Sequence, residues 1–290
     1  MINFLKYTKI YFCLSALIIG IGAVALFSYG FKFSIDFTGG SVVEYSAKQA
    51  IETNQIEKAF KNQKTKAATV ERSVSGSYII RSTPINERQE ASIREDVKKA
   101  AHLKELTLLR FETVGPSLGA ETVRKTIIAS LVAVLGILIY VSLTFRKFSY
   151  GIAAVIALIH DLLVLVGVYA LVTHFFGAEI DSLFITAVLT TMSFSVHDTI
   201  VVFDKIREYR RTSALSIEIL ANKALTETMV RSVNNSLTIV LMLIPLVILG
   251  TDMIRFFAAA LLIGTISGTY SSPFIATPLL VWIEKRREKS

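Results

Sequence analysis

The chain has 290 residues, of which 52% are hydrophobic and only 19% are charged. A soluble domain of this length needs a polar surface that this composition does not supply, and a mean hydropathy of +0.55 is typical of a polytopic membrane protein. The net charge of +8 does not indicate nucleic-acid binding, because the basic residues cluster at the ends of apolar segments. We therefore expect a membrane protein without a nucleic-acid partner.

Residues that carry metal, nucleotide or nucleophilic chemistry are scarce. Cys13 is the only cysteine, which excludes an intrachain disulfide and a cysteine-based metal site. The segment Phe37–Gly40 lacks the spacing and the following lysine of a phosphate-binding loop. His102 and His174 have no partner at a spacing typical of a catalytic pair. We expect no metal, no organic cofactor and no enzymatic activity.

The first apolar segment, Ile10–Tyr29, is long enough to cross ~30 Å of hydrocarbon at ~1.5 Å per residue. Its apolar run is longer than the core of a signal peptide, and Ala25–Phe27 lacks the small residue expected before a cleavage site. Residues 1–30 are therefore predicted to form the N-terminus and an uncleaved span 1.

Residues 31–122 are polar and charged, and their periodicity changes along the sequence. Thr53 precedes a helical pattern, and Asn86 with Gln89 three residues later resembles a capping box before a second helix. The order βαββαβ predicts a small α+β ferredoxin-like domain outside the membrane. Its strand-like segments are Ser41–Ser46, Ala68–Arg72, Tyr78–Ser82 and Leu106–Phe111, with a hairpin turn at Ser75–Ser77.

Residues 123–284 are predicted to contain five further spans, with a cytoplasmic amphipathic segment near residues 205–230. Residues 285–290 would form a basic cytoplasmic tail. The predicted fold class is an α-helical polytopic membrane protein with six transmembrane helices and one small outer domain. Spans 2 to 6 are expected near Lys125–Phe145, Tyr150–His174, Ser182–Phe203, Ser232–Gly250 and Phe256–Ile283.

The charges that flank the spans predict the orientation. The connections between spans 2 and 3 and between spans 4 and 5, and the tail after span 6, are rich in lysine and arginine. The two short connections on the other side, Phe175–Asp181 and Thr251–Arg255, carry mainly acidic residues. By the positive-inside rule, both termini are cytoplasmic and residues 31–122 lie on the outer side of the membrane.

Two acids lie inside predicted spans, where an ionisable side chain costs ~2.5–3.5 kcal/mol on insertion scales. Asp198 falls in the cytoplasmic half of span 4, and Asp161, next to His160, falls near the centre of span 3. Arg231, at the start of span 5, is expected at a depth similar to that of Asp198. A nearby arginine favours an ionised carboxylate and desolvation opposes it, so Asp198 could take up and release a proton as its surroundings move.

Each of these residues also has a purely structural interpretation. Asp198 could simply hydrogen-bond a neighbouring helix, and Arg231 could extend to the cytoplasmic interface. For His160 and Asp161 we favour a static tie between helices.

The last two spans contain proline and small residues. Pro245 in span 5 and Pro273 in span 6 predict kinks. Gly264, Gly268 and Ser272 recur every four residues and would allow another helix to approach closely. We favour a packing role for these residues.

Five motifs, taken together and in order, cover almost the whole chain. Their sequence resembles that of the SecF family of protein-export membrane proteins, which are related to RND transporters. The five motifs are Ser34–Gly40, Val114–Gly119, Ala157–Asp161, Ser195–Glu208 and Gly268–Ala276. The positions that match the family's motifs are Asp36, Gly39, Gly40, Gly115, Pro116, His160, Asp161, Thr199, Gly268, Ser271 and Ser272.

The resemblance implies a bacterial inner-membrane subunit that pairs with SecD and associates with the SecYEG channel, often with YajC. It implies that the proton motive force helps to draw an unfolded polypeptide out of the channel, within a lipid bilayer and with protons as the only coupling ion. It also implies that Asp198 and Arg231 serve proton transport. The family usually has asparagine where this chain has His197. That histidine could join a proton relay, but we favour a simple hydrogen-bonding replacement.

Two other functions are compatible with the residues alone. One is an RND-like proton-coupled exporter of small molecules or lipids, although such transporters need two six-span halves. The other is a passive scaffold, in which Asp198 and Arg231 could be neutralised without effect.

Overall fold

The computed structural model of the chain describes residues 3–63, 65–73 and 76–289. The chain divides into two compact units. We call Phe33–Ile127 the sheet domain, and Met1–Lys32 together with Ile128–Ser290 the membrane unit.

The sheet domain contains a four-stranded antiparallel sheet. In chain order its strands are β1 (Gly40–Ser46), β2 (Ala67–Arg72), β3 (Tyr78–Ser82) and β4 (Thr107–Val114). Their order across the sheet is β2-β3-β1-β4. This order, with two helices that each join one strand to the next, is the predicted ferredoxin-like arrangement, so the predicted fold class is confirmed. The predicted turn at Ser75–Ser77 lies partly outside the described residues. The helices of this domain are α1 (Ile35–Thr38), before β1, α2 (Thr53–Asn62), between β1 and β2, and α3 (Glu87–Ala100), between β3 and β4.

Local sequence explains where α3 begins and what covers the sheet. The Asn86 side chain accepts a hydrogen bond from the Gln89 backbone, and the Gln89 side chain accepts one from the Asn86 backbone, which forms the predicted capping box. The Tyr45 hydroxyl donates to the carboxylate of Glu90 inside the core. Burial, together with the charge of Glu90, raises the pKa of Tyr45, so this phenol stays neutral and remains a donor.

The two glycine motifs of the sheet domain lie against each other. Gly39 and Gly40 have positive φ angles of 69° and 130°, a backbone region that favours glycine. A Cβ atom on Gly39 would lie 2.8 Å from the Cα atom of Pro116, and a Cβ atom on Gly119 would lie 2.9 Å from the Phe37 carbonyl oxygen. Both motifs therefore need glycine for a close backbone approach at the start of span 2.

Among the described residues, six helices are long and apolar enough to cross a membrane, as the sequence predicts. Spans 2, 4 and 5 extend well beyond their predicted ends, because hydropathy locates the apolar centre of a helix and not its polar ends. The helices are span 1 (Thr8–Tyr29), span 2 (Pro116–Phe145), span 3 (Phe148–Phe176), span 4 (Ser182–Thr212), span 5 (Ile217–Leu249) and span 6 (Asp252–Ser271, continued by Thr277–Lys289).

The predicted amphipathic segment near residues 205–230 covers the end of the span 4 helix and the beginning of the span 5 helix. Residues up to Thr212 continue span 4, and span 5 begins at Ile217, so only a short connection lies between them. Ion pairs within and between the two helix ends explain the extension. Lys205 contacts Glu208 on its own helix at 3.0 Å and Glu227 of span 5 at 3.6 Å.

Small residues determine which spans approach closely. Cβ atoms on Gly264 and Gly268 of span 6 would lie 2.3 Å from Thr191 and 3.0 Å from Ser195 of span 4. The predicted packing role of these glycines is therefore borne out by the geometry. Span 6 changes from an α-helix to a π-helical turn at Ser272–Ala276, which contains Pro273. Such turns are often found at functional sites.

Candidate functional site: a polar network in the membrane unit

Asp161 lies midway along span 3 and is buried, with 7% of its surface exposed. Its carboxylate interacts with four side chains. Oδ1 accepts a hydrogen bond from Ser267 at 2.7 Å and lies 3.1 Å from Nδ1 of His160. Oδ2 accepts hydrogen bonds from Ser195 at 2.5 Å and from Ser271 at 2.6 Å. Spans 3, 4 and 6 therefore meet at one carboxylate, and its hydrogen bonds offset the cost of burying a charge.

His160 connects this carboxylate to span 1. Its Nε2 atom lies 2.9 Å from the Ser15 hydroxyl. Ser15 in turn donates to the Tyr270 hydroxyl at 3.4 Å, and Tyr270 donates to the backbone carbonyl of Tyr11 at 2.9 Å. A continuous chain of polar groups thus runs from Tyr11 of span 1 to Asp161 in span 3.

Asp198 lies one helical turn beyond Ser195 on span 4, and its carboxyl group is also buried. The Ser232 side chain of span 5 lies close to it. Asp198 lines a small cavity between spans 4, 5 and 6 that contains several polar groups. The cavity is bounded by Phe194, Ser195, Asp198, Asn235, Ser236, Ile239, Thr265, Gly268 and Thr269.

Arg231 and His197 lie beside Asp198 but are exposed in the isolated chain. Both attract the ionised Asp198 carboxylate electrostatically. Within the part of the chain that the structure describes, however, no ion pair within 4 Å joins Asp198 to Arg231. His197 follows Val196 on the helix and precedes Asp198, so its side chain points about 100° away from that of Asp198.

The other motif residues of span 6 belong to the same network. The hydroxyls of Thr199 and Ser272 lie 2.8 Å apart, and Ser272 also donates to the backbone carbonyl of Ser195 at 3.4 Å. Ser271 reaches Asp161, while Gly268 leaves room for Ser195. The motifs of spans 3, 4 and 6 therefore form a single site. Asp36, Gly39, Gly40, Gly115 and Pro116 are part of the sheet domain and outside this network.

Sequence reasoning missed several residues of the membrane unit. Ser195, Ser232 and Ser267 were not identified as site residues, although Ser267 and Ser271 are spaced to lie on one helix face. It also missed Glu284, a buried acid near the end of span 6. Glu284 accepts hydrogen bonds from Lys147 at 2.7 Å, from Ser149 at 2.5 Å and from Arg210. Among the described residues there is no group of three or more His, Cys, Asp or Glu side chains that could hold a metal ion.

Two protein-family models match the chain. Residues 93–286 match the C-terminal region of the protein export membrane proteins SecD and SecF, and residues 24–51 match the SecD/SecF GG motif. The second match contains the two glycines that lie against the start of span 2.

Similar proteins are found among characterised sequences and solved structures. The chain is 38% identical to the protein translocase subunit SecF of Thermobaculum terrenum, over 99% of this chain and 95% of that protein. It is 31% identical to the protein translocase subunit SecDF of Thermus thermophilus over 99% of this chain, but it spans only 39% of that longer protein.

The crystal structure of SecDF from Thermus thermophilus, a translocon-associated membrane protein, matches with a TM-score of 0.83 over 98% of this chain and 39% of the SecDF chain. A second structure, of SecDF in a super-membrane-facing form, matches with a TM-score of 0.71. The family models, the near full-length relatives and the structural match agree with one another. The chain belongs to the SecF family of protein translocase subunits.

Proposed function

We propose that this protein acts with a SecD-like partner as an accessory subunit of the Sec translocase, and uses the proton motive force to promote late-stage translocation of proteins across the bacterial cytoplasmic membrane. Membership of the SecF family supports the export role. The proton-coupled mechanism rests on one observation, the buried carboxyl group of Asp198 in a polar cavity between spans 4, 5 and 6.

A proton on Asp198 changes the forces between spans 4 and 5. The ionised carboxylate is attracted by Arg231 and lies close to the Ser232 hydroxyl, and both of these residues are on span 5. Protonation removes the charge and weakens both interactions. Because the two protonation states favour different arrangements of the spans, a proton gradient can drive the protein between two conformations.

A SecD-like partner is favoured by the surface beside Asp198. Several polar side chains on spans 4 and 5 are exposed in the isolated chain, and contact with lipid would leave their polar groups unsatisfied. A second helical bundle would cover this surface. The SecDF relative, in which the matched region is part of a longer chain, supports this arrangement. The exposed polar residues are Ser193, His197, Arg231, Asn234 and Asn235.

The remaining parts of the proposal rest on the family and on the charge distribution. We assign the SecYEG channel, YajC, membrane lipids and an unfolded polypeptide as partners. We assign a cytoplasmic location to both termini and a periplasmic location to the sheet domain, because lysine and arginine are concentrated on one side of the spans.

The test of this function is an export assay in inverted membrane vesicles after ATP-driven translocation has begun. Asp198→Asn removes the titratable group and retains the shape of the side chain. We expect it to abolish the part of late translocation that depends on the proton gradient. Asp252→Asn is the control, since Asp252 is exposed and pairs with Arg255 on the same helix end. Full gradient-dependent export by Asp198→Asn would contradict the assignment.

A further inference from the structure

The His160–Asp161 pair has a hydrogen-bond arrangement that can hold one additional proton. We propose that this pair is a second proton-binding site of the membrane unit, separate from Asp198, with Ser15 and Tyr270 as the hydrogen-bonding groups that accommodate the extra proton. The inference extends the proposed function, because a proton-coupled subunit gains a second titratable site. Its test does not depend on export.

The acceptor positions of the Asp161 carboxylate are filled. Each carboxylate oxygen has two partners, with Ser267 and His160 at Oδ1 and Ser195 and Ser271 at Oδ2. A hydroxyl group donates only one proton, and for Ser271 the contact with Asp161 at 2.6 Å is shorter than the one with the Gly268 carbonyl oxygen at 3.2 Å. We therefore direct all three serine protons at this carboxylate. Three O–H donors leave one acceptor position on an ionised carboxylate. We infer that His160 fills this position with an N–H group at Nδ1.

The far side of the imidazole allows two proton arrangements with the same heavy-atom positions. In the first, the Ser15 hydroxyl donates to Nε2, and His160 is neutral with its proton on Nδ1. In the second, Ser15 donates to the Tyr270 hydroxyl at 3.4 Å, and Nε2 then carries a proton that it donates to Ser15. The second arrangement contains one proton more than the first, and only the Ser15 hydroxyl rotates.

The proton balance is simple. One proton is added to Nε2, the proton on Nδ1 stays in place, and the imidazolium is stabilised by the Asp161 carboxylate 3.1 Å away. On release, Nε2 loses this proton and Ser15 turns back to donate to the nitrogen. No other bond forms or breaks. Ser15 is thus the hydroxyl that turns between the two arrangements, and Tyr270 accepts its hydrogen bond when Nε2 carries the extra proton.

The charges that face this pair are few. Among the described residues, the groups that face the pair are the Ser15 hydroxyl of span 1, Ser267, Ser271 and the Tyr270 phenol of span 6, and Ser195 of span 4, with Asp198 one turn further along. Asp161 is thus the charged group in direct contact with the imidazole.

Ser195 connects the pair to the proposed proton site at Asp198. Its hydroxyl donates to Asp161, and Ser195 lies one helical turn before Asp198 and lines the same cavity. A change in the charge on the His160–Asp161 pair alters the strength of this hydrogen bond. The position of the turn that carries Asp198 therefore depends on the protonation state of the pair.

The pair can be observed directly because the chain contains four histidines. We would label histidine with ¹⁵N, reconstitute the protein with its co-purified partner into liposomes, and record ring-nitrogen spectra over the pH range in which the protein stays folded. His160→Gln identifies the His160 signals by their loss. The expected result is a reversible change from one N–H and one bare nitrogen to two N–H groups. Signals that show a neutral His160 with one tautomer throughout this range would overturn the proposal.

Two variants test the mechanism. Asp161→Asn should lower the proton affinity of His160 about tenfold or more, because the charge beside the imidazole is lost. Ser15→Ala should shift the pH midpoint of the His160 transition without changing the fold. If Asp161→Asn does not fold, the Ser15→Ala result alone tests the proposed proton-binding site. Ser142→Ala is the matched control, since the Ser142 hydroxyl is buried in span 2 with no hydrogen-bond partner among the described residues. A His160 midpoint that is the same in all the folded variants would contradict the assignment. If Asp198→Asn retains export but His160 still titrates, only the proposed function fails.

Discussion

The buried acids of the membrane unit are stabilised in two different ways. Asp161 lies in the middle of a span and receives neutral hydroxyl donors and an imidazole. Glu284 lies near the end of span 6 and receives two cations, Lys147 and Arg210. Because a lysine or arginine can extend to water from a helix end but not from the bilayer centre, position along the span determines which kind of partner is available.

Glu284 allows a test at the scale of one residue. Glu284→Gln leaves Lys147 and Arg210 facing a neutral amide, so we expect the free energy of unfolding to fall by about 1.5–3 kcal/mol, the range for hydrogen bonds to charged groups. The measurement is the thermal unfolding midpoint in a mild detergent. Glu208→Gln is the control, because Glu208 is exposed and its pair with Lys205 contributes at most about 1 kcal/mol. Equal midpoints for the two variants would show that the Glu284 cluster does not stabilise the fold.

At the scale of the elements, spans 4 and 6 pack closely because glycine residues leave room between the helices, and hydrogen bonds then connect the two spans. Gly264 and Gly268 allow the helices to approach until the Ser195, Ser267 and Ser271 hydroxyls reach the same carboxylate. A larger residue at either glycine would separate the donors from their acceptor. Close packing is therefore a condition for the polar network.

Gly264→Ala tests this condition. The added Cβ atom would lie 2.3 Å from Cγ2 of Thr191, and overpacking of this kind costs about 1–3 kcal/mol. We expect a lower thermal unfolding midpoint and a changed His160 signal, because the hydroxyls no longer reach Asp161. Gly136→Ala in span 2 is the control, since nothing lies within 4 Å of its added Cβ atom. A Gly264→Ala protein as stable as Gly136→Ala would contradict the role of close packing.

At the scale of the whole molecule, the exposed surface has two characters. Spans 2 and 5 present many large apolar side chains, such as Leu131, Leu135 and Leu241, which are suited to lipid. Part of spans 4 and 5 presents His197 and Arg231 instead. A polar surface inside a membrane is stable only when protein or water covers it, and this is why we assign a partner to that surface.

The orientation of the molecule can be tested by chemical labelling of intact cells. In a Cys13→Ser background, Ser92→Cys lies on an exposed position of α3 in the sheet domain, and Ala214→Cys lies in the connection between spans 4 and 5. A membrane-impermeant maleimide should label Ser92→Cys in cells whose outer membrane is permeabilised. It should label Ala214→Cys only after the inner membrane is opened. The reverse pattern would show that the positive-inside rule fails for this chain.

The sequence alone predicted the six spans, the ferredoxin-like order of strands and helices and the capping box at Asn86, because each depends on residues close together in the chain. Hydropathy depends on the apolar residues within one span, and a strand is indicated by the alternation of apolar and polar residues within one short segment. A capping box depends on two residues that are three positions apart. The family resemblance is also carried by short local motifs.

Only the tertiary structure decided which polar groups meet. Asp161 contacts residues that are 34, 106 and 110 positions away in sequence, and Glu284 contacts residues 74, 135 and 137 positions away. Such partners are selected by how closely the helices pack, which depends on glycines on other helices. The sequence thus identified the acids as costly to bury, and the fold determined what makes their burial stable.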